Sequence, residues 1–214
     1  MRPAARRAVV LAAITTLLAP VPVVLANGLS LELRDGWTIE SSAKVSATGE
    51  ALSMPGFDAH DWHRASVPTT VVSALVADGT FPDPYVGMNL RGIPGTTYAI
   101  GDNFSVLPMP ESSPFRVPWW YRTEFDLPVE AREHTLWLRL DGVNYRFDAW
   151  LNGTKIADRD RMAGAFRVHE LNVTGIAKPG RNALAILVEA PQSGDLAITF
   201  VDWRRTNCAP VPPV

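Results

Sequence analysis

Acidic residues occur in close pairs at several points of the sequence, and such pairs could carry acid–base chemistry. Hydrolysis of a glycosidic bond, for example, needs two carboxyl groups held ~5–10 Å apart across the scissile bond. The candidate pairs are Asp58/Asp61, Glu130/Glu133 and Asp158/Asp160. No pair is distinguished from the others, and the alternating charges of residues 158–161 are typical of a solvent-exposed hairpin end. The sequence also has no Gly-x-Ser-x-Gly nucleophile motif, no glycine-rich phosphate loop and no His-Glu-x-x-His motif. We therefore predict no catalytic residue and no cofactor within this chain.

Metal ligands are equally sparse. His60 and His63 lie three positions apart, but they belong to a loop sequence of Asp, Ala and Trp residues rather than to a helix, which disfavours a metal site. Cys208 is the only cysteine, so an internal disulfide and a cysteine-based zinc site are both excluded. The sequence predicts no bound metal.

Tryptophan is abundant, and its ring can stack against the C–H faces of sugars, but packing inside a protein is its commoner role. We predict that Trp37, Trp137 and Trp150 pack within the fold. Trp119 and Trp120 are neighbours in an alternating segment and must point to opposite faces, so we expect at most one of them to face the core.

Short segments of alternating apolar and polar residues dominate the chain and predict β-strands. The clearest is 119–127, which Pro128 closes. Further strands are predicted, in chain order, at 29–33, 37–41, 64–67, 136–140, 145–151, 166–173, 182–189 and 197–201. Asn152-Gly153 tolerates positive φ at both positions and predicts a hairpin turn.

Helical spacing occurs once, from Val71 to Ala77, between Thr70 and the stop signal Asp78-Gly79. The proline-rich stretch 81–118 shows little alternation and predicts a long ordered loop. Many short strands with one short helix predict an all-β fold, a jelly-roll β-sandwich.

The first 26 residues have the pattern of a secretory signal peptide. Arg2, Arg6 and Arg7 precede an uncharged apolar stretch that ends in a small residue at Ala26. A membrane anchor is the alternative, and twin-arginine export is compatible with the paired arginines. Without this segment the chain has 22 acidic and 17 basic residues, a balance that argues against a nucleic-acid partner. We predict a secreted protein.

Several stretches together carry a family resemblance. They are 67–71, 81–90, 114–125, 140–146, 149–153, 163–166 and 195–203, with sequences such as Asp83-Pro84-Tyr85-Val86-Gly87-Met88-Asn89 and Ala149-Trp150-Leu151-Asn152-Gly153. The chain resembles the N-terminal, galactose-binding-like sugar-binding domain of glycoside hydrolase family 2, most closely that of secreted exo-β-D-glucosaminidases. The resemblance implies a domain over residues 27–203. Residues 204–214 resemble no part of the family.

The resemblance also implies a site and partners. Family members carry their acid/base and nucleophilic glutamates on a TIM barrel, and the Asp of an Asp-Trp pair in the first domain reaches the subsite of the terminal sugar. Here that pair is Asp202 and Trp203, which are therefore the candidate substrate-binding residues. The implied partners are a β-linked oligosaccharide, such as one from chitosan, and a catalytic barrel. Related β-mannosidases and β-galactosidases share the sandwich, so the sugar stays open.

Three hypotheses follow for function. The chain is the non-catalytic sugar-binding domain of an exo-acting β-glycosidase, a free-standing carbohydrate-binding module, or an inactive truncated product. A free-standing module would bind soluble oligosaccharide by itself, whereas a domain that only completes the subsite of a barrel would show nearly no affinity. Monodisperse protein with a cooperative melt would count against the truncated product.

Overall fold

The computed structural model of the protein describes residues 29–94, 111 and 113–190. The chain divides into a unit of Met1–Ser30 and a unit of Leu31–Val214, and every element below belongs to the second. The strands are β1 Trp37–Ser41, β2 His63–Ala65, β3 Trp119–Leu127, β4 Trp137–Leu140, β5 Phe147–Leu151, β6 Thr154–Ala157, β7 His169–Asn172 and β8 Gly180–Val188. The helices are α1 Gly49–Leu52 and α2 Val71–Ala77, with 3₁₀ turns at Asn89–Gly92, Pro114–Arg116 and Val129–Glu133.

Six strands form one antiparallel sheet in the order β2-β1-β3-β8-β5-β6, and β4 pairs with β7 in a second, two-stranded sheet. The two nine-residue strands, β3 and β8, pair along their whole length from Trp119 opposite Val188 to Leu127 opposite Gly180. This architecture confirms the all-β sandwich predicted from the alternating segments.

The main core fills the space between the two sheets. Phe147, Leu151 and Leu184 from the large sheet are no more than 1% exposed, and Leu171 of β7 joins the same cluster. Alternation along β5 explains this packing, since every second side chain points to the same face. A fully buried side chain of this size contributes about 1.5–3 kcal/mol to folding.

The outer face of the large sheet is covered as well, which corrects the expectation for the paired tryptophans. Trp119 packs with Ile39 and Leu75, while Trp120 packs with Trp150 at a ring-centroid separation of 5.4 Å. Each of the adjacent tryptophans is 5% exposed. Both are core residues, because the short helices α1 and α2 supply apolar side chains on either side of the sheet.

The Asn152-Gly153 turn joins β5 to β6 as predicted, with φ of 50° and 81°. The Asn152 side chain also ties two turns together. Its Nδ2 donates to the carbonyl of Ile176 and to Oδ1 of Asn182, and its Oδ1 accepts from the Ala183 amide. Asn182, which is fully buried, in turn donates to the carbonyls of Lys178 and Gly180.

Most predicted elements occur within a few residues of their expected bounds. The helix over 71–77 and the strand over 119–127 are confirmed at both ends. The strand predicted at 29–33 is wrong, since that segment is irregular, and helix α1 was not predicted. The strand predicted at 197–201 and most of the central part of the predicted loop 81–118 lie outside the described residues. In the part of the chain that the structure describes, no helix has the length and hydropathy needed to cross a membrane.

Candidate functional site

The two predicted sugar-binding residues, Asp202 and Trp203, lie outside the described residues. The structure does describe the end of β8, the last described strand before Asp202 in the sequence. Strand β8 ends at Val188, and Glu189 is the first residue after it. A group of charged side chains surrounds this point. We call it the exit cluster and define it as Asp148, Lys155, Asp158, Arg159 and Glu189.

The hairpin β5–β6 assembles the exit cluster. Asp148 is the second residue of β5, where it lies opposite Leu187 of β8. The tight Asn-Gly turn sends the chain back along β5, which places Lys155 in β6 and Arg159 just beyond it. Pairing with β8 on one side and β6 on the other therefore brings the three segments together.

Asp148 is the centre of the cluster, with a side chain only 1% exposed. Its Oδ1 accepts from the backbone N–H of Arg159 at 2.9 Å and pairs with Lys155 Nζ at 2.9 Å. Its Oδ2 accepts from Arg159 Nε at 2.6 Å and pairs with Nη2 at 2.5 Å. Because removal of a carboxylate from water is costly, the two cations and the amide offset the cost of burying this side chain.

Arg159 also joins Asp148 to Glu189, since its Nη1 donates to Glu189 Oε1. The Glu189 backbone N–H donates to the carbonyl of Arg146 at 2.9 Å, which fixes the main chain where it leaves the sheet. Burial raises the pKa of Glu189, and the neighbouring Arg159 charge only partly opposes that effect. Burial lowers the pKa of Arg159, but the hydrogen bond and charge of Asp148 and the charge of Glu189 outweigh it, so the net shift is upward.

These contacts correct the interpretation of residues 158–161 as a solvent-exposed hairpin end. Asp160 is exposed, but Arg159 points back onto a buried carboxylate. One sequence signal could have revealed this. An aspartate within the otherwise apolar strand Phe147–Leu151 must be buried together with its neighbours, and a buried acid needs a cationic partner. The exit cluster holds its groups in place, and it offers no nucleophile or acid–base pair aimed at a substrate.

The other residues that the sequence offered as metal ligands or acid–base pairs lie on separate segments. His60 pairs with Asp58 at 2.8 Å and Asp61 at 3.0 Å on the surface, whereas His63 hydrogen-bonds Asp78 at 2.6 Å. Glu130 and Glu133 belong to the 3₁₀ turn Val129–Glu133. Among residues 29–94, 111 and 113–190, no three acidic, histidine or cysteine side chains cluster as metal ligands would.

One tryptophan departs from the prediction that it packs inside. Trp37 and Trp150 are 5% and 7% exposed, but Trp137 is 59% exposed. It begins β4, where it lies opposite Asn172 of β7. Trp137 points outward because it alternates with Leu138, which packs against the main core.

Comparison with known proteins agrees with this fold. Residues 100–199 match the family described as Glycosyl hydrolase 2 galactose-binding domain-like. The chain is 34% identical over 172 residues to an exo-β-D-glucosaminidase of Amycolatopsis orientalis, a match that covers 80% of this chain and 15% of that protein. It is 33% identical to an exo-β-D-glucosaminidase of Streptomyces avermitilis, over 78% of this chain and 17% of that protein.

A solved structure of a relative is also similar to this chain. The exo-chitosanase of Amycolatopsis orientalis superposes with a TM-score of 0.64 at 32% identity, over 79% of this chain and 18% of that one. The chain thus spans less than a fifth of the length of these relatives.

Proposed function

Because this chain carries the galactose-binding-like N-terminal domain of glycoside hydrolase family 2, we propose that it is the sugar-binding domain of a secreted exo-acting β-glycosidase. The sandwich forms one wall of a saccharide site, and a separate barrel supplies the catalytic glutamates. The substrate class that we propose is β-linked glucosamine oligosaccharide, such as that of chitosan. The observation that carries this choice is the 34% identity to an exo-β-D-glucosaminidase over 80% of the chain.

Asp202 and Trp203 are the residues that we propose for sugar binding. A carboxylate can accept hydrogen bonds from two hydroxyl groups or from the ammonium group of glucosamine, and charge-assisted bonds of this kind are worth about 1.5–3 kcal/mol each. An indole beside that ammonium adds about 0.5–2 kcal/mol by cation–π attraction. The exit cluster supports the proposal, since it anchors the main chain at Glu189, ahead of Asp202 in the sequence. A binding carboxylate needs a rigid base of that kind.

The first test is hydrolysis by the chain alone. Purified protein incubated with p-nitrophenyl β-D-glucosaminide should release no p-nitrophenol, because the bond-breaking groups belong to the barrel. Release at a rate that follows the concentration of this chain would contradict the proposal.

The second test addresses Asp202 in a working enzyme. Residues 27–203 replace the matching N-terminal segment of the Amycolatopsis enzyme, and the chimera is assayed on glucosamine oligomers. Asp202→Asn should raise KM at least about tenfold, the equivalent of one charge-assisted bond. Asp160→Asn, which changes an exposed carboxylate, should leave KM unchanged. An active chimera with the same KM for both variants would remove Asp202 from the site.

Secretion is a separate part of the proposal. Expression of the whole chain in an actinobacterial host should yield extracellular protein whose N-terminal sequence begins at Asn27, after cleavage of residues 1–26. Protein retained in the membrane with an intact N-terminus would favour the anchor instead.

A further inference from the structure

The outward face of the two-stranded sheet carries an exposed indole among polar side chains. Strand alternation turns Trp137 and Arg139 of β4, and Glu170 and Asn172 of β7, away from the core. Their partners in the alternation, such as Leu138 and Leu171, pack against the main core. Since β4 and β7 are antiparallel and in register, Trp137 lies opposite Asn172, and Arg139 lies opposite Glu170.

The charged groups of this face lie close to one another. Arg139 Nε donates to Asp141 Oδ1 at 2.7 Å, and Arg139 Nη1 lies 3.8 Å from Glu170 Oε1. The Arg139 guanidinium thus lies between the carboxylates of Asp141 and Glu170. These three groups together carry one net negative charge. All three side chains are at least 59% exposed, so their remaining polar atoms are open to solvent.

Asn172 supplies a preoriented amide beside the indole. Its Oδ1 accepts from the backbone N–H of Thr174 at 3.0 Å, which sets the orientation of the side chain. In the described part of the chain its Nδ2 donates to no other group. A flat aromatic surface flanked by oriented polar groups has the chemistry of a saccharide platform, because a pyranose presents apolar C–H groups on its faces and hydroxyl groups at its rim.

We propose that this face, defined by Trp137, Arg139, Asp141, Glu170 and Asn172, is a second saccharide-binding surface that holds a cationic, β-linked amino-sugar chain. One sugar ring stacks on the Trp137 indole and hydrogen-bonds to Asn172. The protonated amines of neighbouring sugars pair with Asp141 and Glu170. Charge complementarity selects this occupant, since the two carboxylates exceed the single arginine between them by one negative charge. A protonated amine gains an ionic attraction from that excess, whereas a neutral polymer gains only hydrogen bonds.

This surface rests on the proposed function for its amino-sugar occupant, but it is distinct from the terminal-sugar site proposed around Asp202. It does not need the barrel, so the chain alone can bind polymer here while its terminal-sugar site has almost no affinity. The exposed side chains of this surface follow two short paired strands, an arrangement that suits an internal stretch of polymer rather than a single chain end. Its action would be to keep a polymeric substrate close to the protein, and each sugar would bind weakly. Affinity would therefore rise with the number of sugars engaged.

The test is binding of the whole chain, produced in a host that does not N-glycosylate so that the Asn172 sequon stays unmodified. The protein is titrated with the glucosamine hexamer and with the N-acetylated hexamer, and its depletion by insoluble chitosan is measured. Wild type should bind the glucosamine hexamer and bind its acetylated counterpart at least about fivefold more weakly. Trp137→Ala should weaken binding of the glucosamine hexamer by about fivefold to tenfold.

The matched control is Phe166→Ala, which removes an aromatic ring that is 88% exposed and should leave binding unchanged. Glu170→Gln should reduce the preference for the non-acetylated hexamer and keep the melting temperature of wild type. Asp202→Asn should retain binding at this surface, which separates the result from the test of the terminal-sugar site. Three outcomes would each overturn the proposal: equal binding by wild type and Trp137→Ala, equal affinity for both hexamers, and a loss of self-association rather than of sugar binding in Trp137→Ala.

Discussion

Gly49 packs directly against the indole of Trp150. A β-carbon at position 49 would lie 2.3 Å from Cδ2 and Cε2 of that ring, far inside van der Waals contact. Trp150 is itself held from two other directions, since its Nε1 donates to Glu50 Oε1 at 3.0 Å and its ring packs on Trp120. Helix α1 can therefore cover the outer face of the sheet only with a glycine at its first residue.

This contact predicts that Gly49→Ala destabilises the domain. The indole has no room to move, so the methyl group must displace α1, and overpacking of this kind costs about 1–3 kcal/mol. Gly92→Ala is the matched control, because a β-carbon at position 92 meets no atom within 4 Å. Urea unfolding followed by tryptophan fluorescence measures both. Equal urea midpoints for the two variants would show that helix α1 can shift away from the Trp150 indole at little cost in stability.

The exit cluster gives a second prediction. Arg159→Met leaves Asp148 buried with Lys155 as its remaining cation and removes the link to Glu189. Since Arg159 is 41% exposed, its loss should cost about 1–2 kcal/mol, less than the rupture of a fully buried ion pair. Arg139→Met, which removes a more exposed guanidinium, should cost no more than about 1 kcal/mol.

The same variant links stability to the proposed function. In the chimera with the Amycolatopsis enzyme, Arg159→Met should raise KM, because the chain that leads to Asp202 loses its anchor at Glu189. The value of kcat should change less. A variant that is destabilised but binds substrate normally would confine the cluster to a structural role.

The sequence predicted the strands well where the alternation is regular or a clear turn signal follows. The period of two in β3 and the Asn-Gly turn after β5 are unambiguous, and the structure agrees. Helix α1 was not predicted, because its four residues are too few to show a helical period. The burial of both Trp119 and Trp120 was not predicted, because alternation assigns residues to two faces of a strand but does not show whether another layer covers the second face.

The candidate site was less predictable. Asp202 and Trp203 came from a family resemblance, and no local pattern distinguishes them. The partner of Asp148 depends on a hairpin that brings Arg159 back across eleven residues, a pairing that spacing along the chain does not specify. The exposure of Trp137, by contrast, follows from the alternation, since Leu136, Leu138 and Leu140 form the apolar face and Trp137 shares the other face with Arg139.

His169 gives a prediction about pH. It is 4% exposed, its ring packs edge-on against Phe147, and its Nε2 has no hydrogen-bond partner among the described residues. Burial lowers its pKa below the ordinary value of 6.5, and the nearby positive charge of Arg167 adds to the effect. The unfolded chain therefore binds a proton more readily than the folded one, so stability present above pH 6.5 is lost as the pH falls toward the lower, folded-state pKa.

Unfolding free energies measured between pH 7.5 and 5.5 test this prediction for wild type and His169→Phe. Wild type should lose more stability than the variant over that range. His60, whose pKa is raised mainly by its hydrogen bond to Asp58, acts in the opposite direction, but it is present in both proteins. The difference between the two slopes is thus the quantity to measure, and parallel slopes would contradict the assignment to His169.

The last prediction concerns Arg122, which fastens α1 to the sheet. Its Nε donates to the Leu52 carbonyl at 2.8 Å, its Nη2 donates to the Met54 carbonyl at 3.1 Å, and it pairs with Glu124. The Arg122 side chain is 7% exposed, whereas Arg181, which reaches the other oxygen of Glu124, is 63% exposed. Two arginines thus share one carboxylate, one from inside the protein and one from the surface.

Arg122→Met should cost about 2–4 kcal/mol, because it leaves two carbonyl oxygens without their donor and removes the buried cation of Glu124, which keeps only Gly56 and Arg181. Arg181→Met should cost less than about 1 kcal/mol, since the surviving pair is the buried one. Burial raises the pKa of Glu124, but its hydrogen bonds from Arg122, Gly56 and Arg181 bring the net value below 4.5. Wild type should therefore lose stability as the pH falls below 4.5, and Arg122→Met should lose less over the same range. Similar costs for the two variants in urea unfolding at pH 7 would mean that solvent replaces the buried contacts of Arg122.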